Sequence, residues 1–161
     1  MEQWLEIPSF PDYSISSEGK VRSDRYDRLI TPTLNSMGIQ IVGMRRDKEL
    51  YKRSVAVLVA NAFLPTLNSK FDTPINLDGD RSNNSMYNLL WRPRWFAVQY
   101  FRQFRYPPRG YDVPIEDVET GEVFPNSWEV AIRHGLIEME IVFAMMKNVY
   151  VWPTYQFFKL A

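Results

Sequence analysis

The chain has no cysteine and one histidine, His134, among its 161 residues. Without thiols there is no disulfide, no thiolate zinc site and no cysteine nucleophile. With a single imidazole, a zinc site built on several histidines is excluded, and any histidine general base must be His134. Long apolar runs are absent as well, and no stretch approaches the length a membrane span needs. Met1 to Phe10 has neither a basic start nor an apolar core of the kind a secretory leader carries. The expectation is a soluble, cytoplasmic protein with no membrane partner.

Hydrophobic residues make up 45% of the chain and aromatics 15%. That is enough for one ordinary core or two small ones, and it argues against wholesale disorder. The formal net charge is zero but unevenly spread: residues 1–110 hold 16 Lys and Arg against 11 Asp and Glu, and residues 111–161 hold 3 against 8. A basic front and an acidic back point to modules with different surfaces, of which only the front suits a polyanion.

Punctuation divides the chain further. Residues 1–53 are short apolar stretches broken by Ser17-Glu18-Gly19, Pro32 and Gly38, and are expected to form a small β-rich module. Residues 39–44 and 49–55 fit a hairpin across Arg45-Arg46-Asp47-Lys48. Residues 54–63 fit a short buried helix capped by Ser54 and stopped before Pro65, although periodicity alone would also permit a strand. Residues 71–92 turn through Asp78-Gly79-Asp80, where the Asn and Ser cluster suits side-chain-to-backbone bonding. Residues 94–105 are basic, aromatic and predicted helical, and Tyr106-Pro107-Pro108-Arg109-Gly110 makes a stiff connector. Beyond it, Val118 to Phe124 is hairpin-like around Thr120-Gly121. Ser127 is the expected N-cap of a helix ending near Gly135, a second helix fits Glu138 to Lys147, and residues 150–158 read as a strand. Helix, glycine turn, helix is the spacing of a helix-turn-helix.

Four blocks of residues carry a resemblance. Trp4, Ile7-Pro-Ser-Phe-Pro11, Tyr13-Ser-Ile-Ser16 and Gly19-Lys-Val-Arg-Ser23 are similar to a small module that precedes a nuclease. Val55-Ala-Val-Leu-Val-Ala-Asn-Ala-Phe-Leu-Pro65 resembles V-H-R-L-V-A-x-A-F-x-P. Ile75-Asn-Leu-Asp-Gly-Asp-Arg-Ser-Asn-Asn84 with Asn88-Leu-Leu-Trp91 resembles N-H-I-D-G-N-K-x-N-N…N-L-E-W. Glu119-Thr-Gly-Glu-Val123, Ser127, Glu129-Val-Ala-Ile-Arg-His-Gly135 and Tyr155-Gln-Phe-Phe158 resemble a DNA-binding helix-turn-helix repeat. In this order they resemble the modular HNH homing endonucleases of phages. The implied fold class is α+β: the β-rich module at 1–53, an HNH-like ββα region at 54–92, a basic aromatic linker helix at 93–110 and a helix-turn-helix-like module at 111–161.

The resemblance implies a nuclease in which a histidine activates water and a divalent cation such as magnesium offsets charge on the phosphate. This sequence departs from the pattern at those positions. Alignment on Asp78-Gly79 puts Asn76 where the base belongs, Ile75 where the first metal ligand belongs and Ala97 near the helix ligand; Ala56 replaces the histidine of V-H-R-L-V-A. An amide nitrogen accepts no proton at neutral pH, and Ile has no lone pair. The expectation is therefore no catalytic residue, no metal and no cofactor. Asp78, Gly79, Asn83, Asn84, Asn88 and Trp91 remain as a structural remnant of the motif.

Three further features bear on partners. Arg92, Arg94, Arg102, Arg105 and Arg109 interleave with aromatics in an acid-free span, with Arg102, Arg105 and Arg109 at helical spacing. That is the pattern of a phosphate-tracking helix, of a solvated amphipathic one, or of a protein-binding surface. Arg45, Arg46 and Arg53, with Lys48 and Lys52, surround the proposed hairpin, and Arg22 and Arg25 sit where the resembled module touches DNA backbone. A charged hairpin tip also serves solubility. In the second helix of the last module, Glu138 and Glu140 stand where a recognition helix approaches phosphate, and Met139, Met145 and Met146 suit either a core or an adaptable protein-binding face. The reading is an HNH-like protein that binds double-stranded DNA without cutting it. The alternatives are a scaffold turned to binding a host or phage protein, and, last, an active nuclease with a rearranged site.

Overall fold

The computed structural model describes all 161 residues. Short strands fill the first third, several of them bounded by turn residues such as Pro8, Gly19, Pro32 and Gly38. β1 (Trp4–Ile7), β2 (Phe10–Ser16), β3 (Val21–Ser23) and β4 (Arg28–Ile30) form a four-stranded antiparallel sheet in that order. β5 (Thr33–Leu34), β6 (Gln40–Arg46) and β7 (Glu49–Ser54) form a second sheet, with β6 and β7 in register from Ile41↔Ser54 to Arg46↔Glu49. The two residues at the tip, Asp47 (φ 53) and Lys48 (φ 67), both lie in the left-handed region, as a tight two-residue hairpin turn requires.

Helix α1 (Val55–Phe63) follows at once, and the Ser54 side chain accepts from Val57 N as an N-cap. Of the two readings open to this apolar run, the helix is the one adopted. Val55 and Val59, each fully buried, join Phe10, Ile15, Val42, Met44 and Leu89 in one core. Burying side chains of this size contributes roughly 1.5–3 kcal/mol each. β8 (Thr73–Asn76) and β9 (Leu89–Arg92) then pair as a hairpin, and α2 (Arg94–Gln103) follows β9.

The last third has β10 (Ile115–Asp117), β11 (Val123–Phe124), α3 (Ser127–His134), α4 (Glu138–Lys147) and β12 (Phe158–Leu160), with β10 central between β11 and β12. Ile115, Val130, Leu136 and Ile141 form a second core. The chain divides into two compact units, Met1–Ala97 and Val98–Ala161, and the division falls inside α2. Mixed α+β architecture with several small sheets agrees with the class expected from the sequence. No helix is long and apolar enough to cross a membrane.

Three local expectations need correcting. The N-cap of α3 is Asn126, whose Oδ1 accepts from Glu129 N, while Ser127 turns inward. The final strand is Phe158–Leu160 rather than 150–158. Pro153 has no N–H to offer a ladder, and the chain folds back between Val151 and Gln156 through Tyr155 at φ 57. Helix α2 ends at Gln103, and the backbone closes with i→i+3 bonds such as Arg105 N to Arg102 O before the prolines, so Arg105 and Arg109 lie beyond the helix.

Candidate nucleic-acid interface

The β8–β9 hairpin carries the positions at which the HNH chemistry would sit. In its register Ile75 faces Leu90 and Asn76 faces Leu89, and Ile75 is fully buried. Asn76, 3% exposed, donates from Nδ2 to Asn83 O (2.8 Å) and Asn84 Oδ1 (2.9 Å). Asn84 in turn donates to Gln40 Oε1 at 3.0 Å, tying the hairpin loop to β6. The Asn76 side chain is thus a strut in a buried amide chain, with its nitrogen already committed. Ala97, on the first turns of α2, is 4% exposed and presents only a methyl group. Ala56, in α1, is also buried.

Asp78 and its neighbours form the loop itself. The Asp78 carboxylate accepts from Asn88 Nδ2 (2.8 Å), Asn83 Nδ2 (2.8 Å) and Asp80 N (2.9 Å). Asn88 also donates to Asn83 O and accepts from Asp78 N through Oδ1. Gly79 supplies φ 76 at the turn, where an L side chain is strained. Beside it, the Asp80 carboxyl is held below its ordinary range by the Ser82 hydroxyl, then by the Ser82 amide. Trp91 is buried in β9 opposite Pro74. Nowhere in the chain do three or more His, Cys, Asp or Glu side chains come together as a metal site would need. His134 is the last residue of α3, between the rings of Phe124 (5.4 Å) and Phe158 (5.5 Å).

The basic residues sit in four different environments. Arg25 from the turn after β3 meets Arg45, Arg46 and Lys48 from the β6–β7 hairpin around a concavity of about 360 Å³ that Tyr13 and Tyr26 also line. Arg25, Arg45 and Lys48 are exposed, and Arg25 and Arg28 both lie over the Tyr26 ring, at 5.6 and 5.7 Å. Asp12 and Asp47 lie on the same rim. Arg46 and Arg53 are held more firmly: both stack on Phe10 and Tyr51, and Arg46 Nη1 donates to Ser9 O at 2.9 Å. Arg22 is spoken for, over Trp4 at 4.5 Å and paired with Asp24 at 3.0 Å. The Ser14 hydroxyl, assisted by Arg22, keeps the Asp24 carboxyl below its ordinary range.

Along the rear span, Arg94, Arg102, Arg105 and Arg109 are exposed, and Arg109 lies 4.8 Å over the Tyr106 ring. Arg92 departs from the expectation of a solvent-facing row. It is 5% exposed, with Nη1 donating to Trp91 O, because β9 places it on the covered side of the hairpin. Glu138 departs as well: it is 5% exposed and faces inward, so Glu140 alone of the two acids is presented on α4. The methionines divide, with Met145 against the second core and Met146 69% exposed.

The NUMOD4 motif matches residues 2–45, the stretch that builds the first sheet and most of β6. Two uncharacterized HNH endonucleases of Acanthamoeba polyphaga mimivirus are similar: one is 33% identical over 92 residues, 56% of this chain, and the other 29% identical over 89 residues, 55% of it. Those stretches span 23% and 26% of the relatives' own lengths, so this chain covers about a quarter of each. A solved structure of the HNH homing endonuclease I-HmuI matches over 99% of this chain and 98% of its own, with a TM-score of 0.58 and 16% identity, a likeness of fold. The chain resembles a modular HNH homing endonuclease.

β8, β9 and α2 follow one another in strand-strand-helix order, and Ile75, Asn76 and Ala97 on them are all buried. These positions do not fit a divalent cation: Ile75 and Ala97 offer no lone pair, and Asn76, buried with its nitrogen holding Asn83 and Asn84, leaves a single amide oxygen. Sequence reasoning missed the meeting of Arg25 with the β6–β7 hairpin, which no spacing within the chain could reveal. It also missed the inward Glu138. Its partner Gly110 lies 28 residues away in the chain, and only the fold shows that a Cβ there would come within 2.6 Å of Glu138 Oε1.

Proposed function

We propose that this chain is an HNH-endonuclease-like protein that binds double-stranded DNA without cutting it and without a metal cofactor. The observation that carries the reading is Asn76. At the position expected for the water-activating histidine stands a buried amide whose nitrogen holds Asn83 and Asn84. The neighbouring Ile75 and Ala97 supply no cation ligand, so a single reversion at position 76 leaves the chemistry incomplete.

DNA would be engaged by two sets of cations. One is the Arg25, Arg45, Arg46 and Lys48 concavity, where guanidinium groups and the Tyr13 and Tyr26 rings flank a hollow of about 360 Å³. The other is the exposed set Arg94, Arg102, Arg105 and Arg109. The α3–α4 pair acts as a helix-turn-helix of weakened reading, since its outward face offers Glu140, Phe143, Met146 and Lys147. The test combines two measurements. A supercoiled plasmid incubated with magnesium or manganese should stay uncut, and a duplex gel shift should weaken steeply with salt. Metal-dependent nicking would overturn the non-cutting half, and no shift at low salt the binding half.

A second reading rests on one specific observation. Phe143, Met146 and Val149 are about half exposed or more at the end of α4, an apolar face suited to a protein partner. On that reading duplex binding is absent, and Phe143→Asp abolishes partner binding while leaving the fold intact.

A further inference from the structure

Segment 104–110 carries Arg105 and Arg109 and has no regular secondary structure, yet it is pinned at both ends to one place, the start of α4. At its near end Gln103, the last residue of α2, donates from Nε2 to Leu136 O (3.1 Å) and accepts from Glu138 N through Oε1 (3.0 Å). That bond satisfies an amide at the start of α4 that its N-cap, Ile137, cannot serve with a side chain. At its far end the Glu138 carboxylate accepts from Arg109 N through Oε2 and from Gly110 N through Oε1, both at 3.1 Å. Ser127 Oγ donates to the same Oε1 at 2.8 Å. Three donors and the positive end of the α4 dipole make a buried carboxylate tenable. The fit leaves no slack, for a Cβ at position 110 would collide with Ser127 Oγ.

We propose that Glu138 is a positioning residue: its carboxylate latches the Arg109–Gly110 backbone to the α3–α4 pair and thereby sets the path along which Arg105 and Arg109 are displayed to DNA. The second half of this statement rests on the DNA-binding reading above; the latch does not. The geometry separates the two acids of α4 by task. Glu140 is solvated, whereas Glu138 is aimed inward and holds the linker instead of opposing phosphate.

The test uses the full chain and two readouts. Glu138→Gln keeps the shape of the side chain but puts an amide N–H donor where an acceptor is needed. Gly110→Ala keeps the carboxylate and displaces the segment by sterics. In both variants trypsin should cut after Arg105 and Arg109 faster than in the parent by roughly tenfold or more, the factor one lost charge-assisted hydrogen bond corresponds to. Glu140→Gln should cut at the parent rate. Circular dichroism checks that each variant remains folded. Parent-like cutting in folded Glu138→Gln and Gly110→Ala overturns the latch. The second readout is the slope of duplex affinity against salt, which should become shallower by about one for each arginine no longer held against phosphate. A faster-cut variant with the parent's slope overturns the positioning role while the latch stands. If the parent binds no duplex at all, the DNA-binding reading fails and the protease result still decides the latch.

Discussion

Asn76 is a single side chain whose two hydrogen bonds hold Asn83 and Asn84 in the hairpin loop. Truncating it leaves Asn84 Oδ1 and the Asn83 carbonyl without that donor in a buried setting. Asn76→Ala is expected to lower stability by about 1–3 kcal/mol, read from urea unfolding. Asn76→His is expected to give no nicking of plasmid in magnesium, because Ile75 and Ala97 remain without lone pairs; metal-dependent nicking by that variant would show that a cation site exists after all. Asp24 is the second telling residue. Its carboxyl lies below the ordinary value of 3.8, chiefly through the Ser14 hydroxyl and then through Arg22. The folded pKa is the lower one, so this contribution is in place above the unfolded value and fades as pH falls through the folded one. Unfolding midpoints measured from neutral to acid pH should decline below about pH 4. Asp24→Asn should remove part of that decline.

Among the elements, those whose signal is local were legible in the sequence. Ser54 before an apolar run marked the start of α1, and Gly135 marked the end of α3. Arg45-Arg46-Asp47-Lys48 between residues 39–44 and 49–55 marked the β6–β7 hairpin, in which Arg45 and Arg46 turn out to be paired in the ladder. What stayed hidden is non-local. Asn126 and Ser127 are both good caps, and only the demand of Glu138 for a hydroxyl assigns Ser127 to the interior. Arg92 reads as one more cation of a basic row, and only the pairing of β9 with β8 reveals that it is covered. Arg25 and Arg45 are twenty residues apart, and their shared concavity depends on how two sheets pack. That concavity makes its own prediction. Alanine at Arg25, Arg45 and Lys48 together should flatten the salt slope of duplex binding by about three, one for each phosphate contact. An unchanged slope would remove this surface from the interface.

For the molecule as a whole, neutrality conceals a gradient: an excess of five cations over residues 1–110 and of five anions over residues 111–161. On the DNA-binding reading, association with the polyanion is then governed by which end leads, and salt acts on that preference before it acts on contact. Reversing exposed acids in the rear should therefore strengthen duplex binding. Glu129→Lys with Glu140→Lys is expected to tighten binding at low salt and steepen the salt slope by about one for each new phosphate contact, measured by gel shift across a salt series. If the slope stays as in the parent, the α3–α4 pair does not approach DNA.

The tip of the β6–β7 hairpin holds two non-glycine residues at positive φ, Asp47 and Lys48. Asn followed by Gly is the pair such a turn favours, so the natural pair is not the one that would make the hairpin sturdiest. The single change Lys48→Gly, which turns the tip into the equally favoured Asp-Gly, is therefore expected to move two properties in opposite directions. The variant should withstand more denaturant, and on the DNA-binding reading its grip on duplex should slacken with the lost cation, as happens where durability has been given up for use.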